Sequence, residues 1–172
     1  VVKDLYDAAN AVVGHLKGGL GVATILSCTI FAAISGSSVA TALTIGSTAI
    51  PQMKRFNYSP SYSYGVIAAG GTLGILIPPS GPLILYAIVT EASIGALFVA
   101  GLIPGIMMAL IFAGWAMISA GFSGAVVSQP FLGMTVIWAS IRRSFWALLM
   151  PPVVLGGIYL GIFTATEAAS IG

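Results

Sequence analysis

The residues best suited to chemistry lie in the middle of an uncharged segment, residues 18–53. There, residues 34–41 read Ile-Ser-Gly-Ser-Ser-Val-Ala-Thr. A serine–glycine cluster of this kind ends one helix and caps the next. Its hydroxyls, together with carbonyls freed at a helix end near Ile34, are oxygen ligands that suit a hard cation such as Na⁺. A helix that begins near Ser38 would direct its positive end at the same point, which suits a carboxylate.

A second candidate site lies within residues 62–90, an apolar segment that is interrupted. Gly70, Gly71 and Gly74 precede the run Ile-Pro-Pro-Ser-Gly-Pro at residues 77–82. Proline lacks an amide donor and clashes with the preceding turn, so the prolines of this run end a helix. The carbonyls that they free are tolerated in a bilayer only if they are buried in protein or line a polar cavity. A helix broken in this way is typical of a binding site in membrane transport, and the alternative is a proline kink without a ligand.

The composition predicts that these elements lie in a membrane. The chain has 172 residues, of which 58% are hydrophobic and 6% are charged, whereas soluble domains contain about 25% charged residues. Four uncharged stretches, 18–53, 56–90, 92–141 and 144–166, each exceed the roughly 18 residues that indicate a membrane-spanning helix. The net charge of +2 is too small and too scattered to indicate nucleic-acid binding. We therefore expect an all-α integral membrane protein with polytopic helices.

The sequence lacks the side chains that catalysis would need. One histidine and four carboxylates leave little for acid–base chemistry or a proton relay. No Gly-x-x-x-x-Gly-Lys-Ser/Thr loop is present, so ATP hydrolysis by that route is excluded. The single cysteine, Cys28, excludes an internal disulfide and a cysteine-based metal site. We expect neither enzymatic activity nor an organic cofactor.

Positive residues at both ends of residues 18–53 predict how this segment enters the membrane. Lys17 precedes it and Lys54 and Arg55 follow it, and positive loops prefer the cytoplasm. The segment is longer than one span of about 20 residues and shorter than two. Two short arms that meet at the serine cluster would form a re-entrant hairpin, which enters and leaves by the same face. One tilted helix or two short spans are the alternatives.

The other segments are assigned from their polarity and from helix signals. Residues 1–17 have an apolar and a polar face, which predicts an amphipathic helix in the membrane interface or a surface helix under another subunit. The chain starts with neither Met nor a signal peptide, and we interpret it as an internal fragment. The remaining assignments are a polar cytoplasmic loop at 51–61, a Pro-broken transmembrane helix at 62–90, a transmembrane helix at 94–118, a loop or interfacial segment at 119–143, which ends at cytoplasmic Arg142 and Arg143, and the start of a second repeat at 144–172, with a capping box at 164–167.

Taken in order, these motifs resemble the large membrane subunit of TRAP transporters, the tripartite ATP-independent periplasmic transporters. The likeness covers nearly the whole chain. One departure is Ala165, where the family usually has proline, and the capping-box spacing survives it. The matching motifs are residues 34–41, Ile-Pro-Gln-Met-Lys-Arg at 50–55, Ala-Gly-Gly-Thr-Leu-Gly-Ile-Leu-Ile-Pro-Pro-Ser at 69–80, Ser-Ile-Gly at 93–95, Ala-Gly-Leu-Ile-Pro-Gly at 100–105 and Gly-Gly-Ile-Tyr-x-Gly-x-Phe-Thr at 156–164.

The resemblance implies Na⁺-coupled import of organic anions, such as C4-dicarboxylates or sialic acid, across a bacterial or archaeal inner membrane. It implies two protein partners, a periplasmic substrate-binding protein and a small four-helix membrane subunit, and an elevator-like movement. One inverted repeat and the start of the second would be present. Ser37 and Ser38 are the candidate Na⁺ ligands. The residues expected to flank one Na⁺ site and the substrate are Ser35, Gly36, Ser37, Ser38, Thr41, Gly74, Pro78, Pro79 and Ser80.

Two other functions fit the same residues. One is a different elevator-type anion and Na⁺ symporter that works without a binding protein. The other is a channel or a non-transporting membrane scaffold, with which the lack of intramembrane charge is compatible. A broken helix argues against a pure scaffold, because it carries an energetic cost without a bound ligand.

Overall fold

The computed structural model describes residues 2–122, 133–160 and 162. Every regular element in these ranges is a helix, which confirms the all-α prediction. A short 3₁₀ turn at Leu73–Ile75 follows the fourth helix. The helices are α1 at Val2–Val13, α2 at Gly19–Ser35, α3 at Ser38–Arg55, α4 at Pro60–Thr72, α5 at Gly81–Thr90, α6 at Ile94–Phe122, α7 at Met134–Arg143 and α8 at Phe145–Tyr159.

Helix α2 lies at the centre of the described fold. It is apolar on all sides, and it packs against α1, α3, α4, α6 and α8. A helix without a polar face is stable only when other elements cover it. Ile25 and Cys28 of α2 and Ile45 of α3 are almost fully buried in the common core. Cys28 therefore acts as a small packing residue of this core.

Helices α2 and α3 are joined by Gly36 and Ser37 alone and pack against each other. The helix break therefore falls inside the predicted serine cluster. We call residues 35–38 the tip. Helix α3 continues through Pro51 to Arg55, so the predicted polar loop at 51–61 is too long. Proline removes one helical hydrogen bond, yet one further turn forms beyond it. Whether the pair enters and leaves the membrane by the same face stays a prediction.

The proline-containing segment is helical on both sides of an irregular stretch. Helix α4 and the 3₁₀ turn end at Ile75, and α5 starts at Gly81. We call the intervening residues 76–80 the break. Ser59 caps α4 because its hydroxyl accepts a hydrogen bond from the Tyr62 amide at 3.3 Å. That α4 and α5 form one interrupted transmembrane helix stays a prediction.

Helix α6 is the only described helix that is long and apolar enough to cross a membrane. It has 29 residues, and large apolar side chains such as Leu110 and Trp115 are exposed along it. Because α6 extends to Phe122, it exceeds the predicted span at 94–118. Helices α2, α5 and α8 are apolar but shorter, at 17, 10 and 15 residues.

The predicted loop or interfacial segment at 119–143 contains a helix, α7, with Arg142 and Arg143 in its last turn. Residues 123–132 of that segment, and the predicted capping box at 164–167, lie outside the described residues. At the other end of the chain α1 is amphipathic, as predicted, although it ends at Val13 rather than near Lys17. Helices α1 and α7 pack against each other.

Candidate functional site

The tip is built by two helix caps on adjacent residues, Gly36 and Ser37. Gly36 adopts a left-handed conformation with φ of 60°, and its amide donates to the carbonyl of Ala32, which ends α2. The Ser37 hydroxyl accepts a hydrogen bond from the Ala40 amide at 3.3 Å, which starts α3. Glycine reaches the left-handed region without the steric cost of a Cβ atom. The Gly36-Ser37 pair therefore provides the sharp reversal that brings the two helix ends together.

Three oxygen atoms lie close together at the tip. Thr41 Oγ1 donates to the Ser37 carbonyl oxygen at 2.7 Å, and Ser35 Oγ lies 3.0 Å from Thr41 Oγ1. Because the Thr41 proton is used on Ser37, Ser35 donates to Thr41. Ser35 Oγ is also 3.5 Å from the Ser37 carbonyl oxygen. We call these three atoms the oxygen triangle. Thr41 is fully buried, while Ser35 and Ser37 are partly exposed.

The tip packs directly against the 3₁₀ turn that precedes the break. A Cβ atom added to Gly74 would lie 2.7 Å from the carbonyl carbon and oxygen of Ser37 and from the Ser38 amide nitrogen. Real Cβ atoms do not approach other heavy atoms so closely. Gly74 is therefore required for backbone-to-backbone contact with the tip.

The break makes a second contact with the tip from its other end. A Cβ atom added to Gly36 would lie 2.5 Å from the Pro79 carbonyl oxygen and 3.8 Å from Ser80 Cα. Ser80 is fully buried, and its hydroxyl donates to the Ile75 carbonyl at 2.7 Å, which closes the break on itself. Pro78 is also fully buried. The break is thus a compact unit with its main chain against the tip.

Two helix N-termini meet at this contact. Helix α3 starts at Ser38 and α5 starts at Gly81, beside the Pro79-Ser80 pair. The Ser80 hydroxyl is engaged with Ile75, so it makes no side-chain cap on α5. First-turn amides without internal partners carry partial positive charge and favour an anion. The site therefore places clustered oxygen atoms, of the type that coordinates cations, beside helix N-termini, which favour anions.

The structure brings the predicted tip and break residues into one region. Ser37 and Ser38, the predicted Na⁺ ligands, lie at the contact with Gly74, but the Ser37 hydroxyl serves as a helix cap. The sequence predicted freed carbonyls at the break but did not identify those of Ile75 and Pro79, because residue type does not show which main-chain atoms face a neighbouring segment. The four-residue spacing of Ser37 and Thr41 was the available signal for their hydrogen bond, since hydroxyls in helices commonly donate one turn back.

In the described residues, these features define a helical fold in which the tip and the break present polar main chain to each other. Comparison with known proteins identifies the family of the chain. The family described as "Tripartite ATP-independent periplasmic transporter, DctM component" matches residues 1–172, and the chain belongs to this family. The resemblance found in the sequence motifs is thereby confirmed.

Curated relatives of the chain are large permease proteins of TRAP transporters. The C4-dicarboxylate permease DctM of Pseudomonas aeruginosa is 45% identical over 171 residues, which cover 99% of this chain and 40% of the relative. The ectoine permease TeaC of Halomonas elongata is 42% identical over 166 residues, covering 96% and 39%. The 2,3-diketo-L-gulonate permease YiaN of Escherichia coli is 36% identical over 170 residues, covering 98% and 40%.

The chain thus spans about two fifths of the length of these relatives. Their names describe permeases and not enzymes, which agrees with the expected lack of enzymatic activity. Membership of this family also separates the chain from elevator carriers of other families.

Proposed function

We propose that the chain forms one half of the ion and substrate pathway of a TRAP-type permease. The complete permease would import organic anions, such as C4-dicarboxylates, sialic acid or similar carboxylates, in symport with Na⁺ across the inner membrane. The observation that carries this proposal is the backbone-to-backbone contact of the tip with the break, in a chain of this family. Such a contact juxtaposes two polar interruptions in otherwise apolar helical segments.

The oxygen triangle supports the choice of a cation. Ca²⁺, whose radius is close to that of Na⁺, binds oxygen at about 2.3–2.6 Å, so two ligands at right angles lie about 3.5 Å apart. The three atoms of the triangle are separated by 2.7, 3.0 and 3.5 Å. The longest separation has this spacing, whereas the two shorter ones are hydrogen-bond distances that would lengthen when a cation replaces the hydroxyl protons between the oxygens. Ser37 would contribute its carbonyl oxygen, and the Ser38 hydroxyl is retained as a ligand from the sequence prediction.

The N-termini of α3 and α5 support the choice of an anion. Amide groups in a first helical turn bind carboxylates without any cationic side chain. The described residues of the tip and the break include no charged side chain. A bound cation would add positive charge near the same point, so each ligand would favour binding of the other. This mutual effect is the coupling that symport requires.

The partners in this proposal come from the family. A periplasmic binding protein would deliver the anion, and a small four-helix membrane subunit would accompany the permease. The pair of α2 and α3 would act as a re-entrant hairpin, and α4 with α5 as a broken transmembrane helix. The two would move together in an elevator-like step.

The test is uptake of radiolabelled organic acids by the complete transporter in proteoliposomes. Four conditions combine the presence or absence of an inward Na⁺ gradient and of the binding protein. We expect uptake only when both are present. Equal uptake with and without the Na⁺ gradient would contradict the cation proposal. Uptake without the binding protein would contradict the tripartite mechanism.

A further inference from the structure

Two cationic side chains from different helices line a cavity remote from the tip. The cavity has a volume of about 380 Å³ and lies between the first turn of α1 and the last turns of α3. A water molecule occupies about 30 Å³ in the liquid, so the space accommodates a polar group much larger than water. The lining residues are Lys3, Ser47, Thr48, Pro51, Gln52 and Arg55.

The cavity lining is rich in hydrogen-bond donors and lacks a carboxylate. Arg55 offers a planar fork of donors that matches phosphate oxygens, and Lys3 offers a mobile ammonium group. Gln52 adds amide donors. Asp4 and Asp7 of α1 both interact electrostatically with Lys3, but neither of them lines the cavity. Two positive charges, with no carboxylate among the lining residues, favour a phosphate group over a neutral headgroup.

The location of the cavity indicates that the phosphate belongs to a membrane lipid. Helix α1 is amphipathic, and Lys54 and Arg55 end α3, so both helices have the features of elements at a membrane surface. Basic pockets between helices at a membrane surface bind anionic headgroups. We propose that Lys3 and Arg55 form a binding site for the phosphate of an anionic phospholipid. This proposal rests on membrane location and is independent of the transport mechanism.

The test uses the complete permease, purified in detergent and examined by native mass spectrometry with phosphatidylglycerol or phosphatidylcholine. We expect phosphatidylglycerol to bind in preference to phosphatidylcholine. Arg55→Gln and Lys3→Gln should each weaken phosphatidylglycerol binding about fivefold, the effect of one basic residue near a membrane surface. Lys54→Gln removes the same charge from the neighbouring position, which does not line the cavity, and should leave binding nearly unchanged.

Equal loss of binding in Lys54→Gln and Arg55→Gln would overturn the proposal, because it would indicate attraction to overall charge rather than to a site. Lack of preference for phosphatidylglycerol would overturn it as well. Competition with inorganic phosphate distinguishes a lipid headgroup from a free anion as the ligand. If millimolar phosphate displaces the lipid completely, the site is one for soluble anions and the lipid assignment is wrong. Lys3→Gln lies on the other helix, so the test survives if Arg55→Gln does not fold.

Discussion

The hydroxyls of residues 35–41 make hydrogen bonds of two kinds. Ser37 accepts from the Ala40 amide, a local bond that starts α3. Ser35 and Thr41 are instead linked across the turn at 3.0 Å, and Thr41 donates to the Ser37 carbonyl. The first kind stabilises a helix end, and the second holds oxygen atoms together. Single substitutions can therefore separate helix capping from ion binding.

Thr41→Val tests the oxygen triangle. Valine keeps the shape of threonine but removes Oγ1, which lies 2.7 Å from the Ser37 carbonyl. In the complete transporter we expect the Na⁺ concentration for half-maximal uptake to rise about tenfold, since a polar contact to a charged group contributes about 1.5–3 kcal/mol. Substrate affinity at fixed Na⁺ should fall with it by linkage. Titration of uptake against Na⁺ measures both.

Ser37→Ala is the matched control for that variant. It removes a helix cap but keeps the carbonyl oxygen of residue 37, so the loss should appear as stability, about 1 kcal/mol. Ser38→Ala tests the Ser38 hydroxyl as a Na⁺ ligand. We expect it to raise the Na⁺ concentration for half-maximal uptake. An unchanged half-saturation in both Thr41→Val and Ser38→Ala would show that the tip does not bind the coupling ion.

Gly74→Ala tests the contact between the tip and the 3₁₀ turn. The new methyl group would meet the Ser37-Ser38 peptide at 2.7 Å, and overpacking of this kind costs about 1–3 kcal/mol. We expect a lower thermal midpoint of unfolding in the purified complete permease. Gly65→Ala in α4 is the control, because nothing lies within 4 Å of its added Cβ. That variant should keep or raise the midpoint, and a fall of equal size in both would contradict the role given to Gly74.

At the scale of helices, α2 owes its central place to contacts on every side. Two of its neighbours are also bonded to each other. Tyr62 at the start of α4 donates its hydroxyl to the Ala116 carbonyl of α6 at 2.7 Å. Tyr62 also lies against Gly21 of α2. This side chain therefore joins three helices near the end of α2 that is distant from the tip.

Tyr62→Phe should lower the stability of the complete permease by about 1 kcal/mol, the typical value of one lost hydrogen bond. Tyr64→Phe is the natural control, because Tyr64 lies two residues further on α4 and is 58% exposed. Thermal unfolding followed by tryptophan fluorescence compares the two. If Tyr64→Phe destabilises the protein as much as Tyr62→Phe, the bond to Ala116 contributes nothing specific.

The direction in which α2 and α3 traverse the membrane is a separate prediction. We expect cysteines introduced at Lys17 and at Arg55 to be labelled from the cytoplasmic face, because positive residues set orientation. Cys28 is buried, and its replacement by alanine removes the one native thiol of these 172 residues. A membrane-impermeant maleimide applied to cells and to inverted vesicles reports the side. Labelling of the two positions from opposite faces would exclude a re-entrant hairpin.

The sequence predicted which segments are helical and where the helices are interrupted better than it predicted where each helix ends. Serine–glycine and proline runs act locally, so the breaks near Ser37 and Pro79 could be located from residue type. The ends of α3 and α6 depend on packing with other helices, and both helices continue beyond the predicted boundaries at Pro51 and residue 118. The meeting of the tip with the break involves residues about 40 positions apart, and no local pattern specifies that contact.

For the whole molecule, the chain matches about two fifths of each relative. Permeases built from repeats place their sites where the repeats meet, so we expect a complete site to require more than the described helices. The large apolar side chains exposed along α5 and α6, such as Leu85 and Leu110, indicate that lipid or further protein covers these faces.

The 172 residues expressed alone should not transport. In proteoliposomes with binding protein and a Na⁺ gradient, we expect uptake no greater than in empty liposomes, whereas the complete transporter should accumulate substrate. Circular dichroism of the same preparation verifies that the short chain is helical. Substrate accumulation by the 172 residues would mean that they contain an entire pathway, contrary to the repeat argument.

The contacts of Gly36 and Gly74 have a consequence for how such permeases diversify. Where two main chains touch, the geometry is supplied by atoms common to every amino acid, and only the two glycines are constrained by it. Mutations in the surrounding side chains can accumulate over generations while the contact persists. A single ancestral framework could in this way give rise to lineages that accept different nutrients. If the tip and the break bind the coupling ion as proposed, new solute preferences would arise from side chains around this contact, while the contact itself is kept.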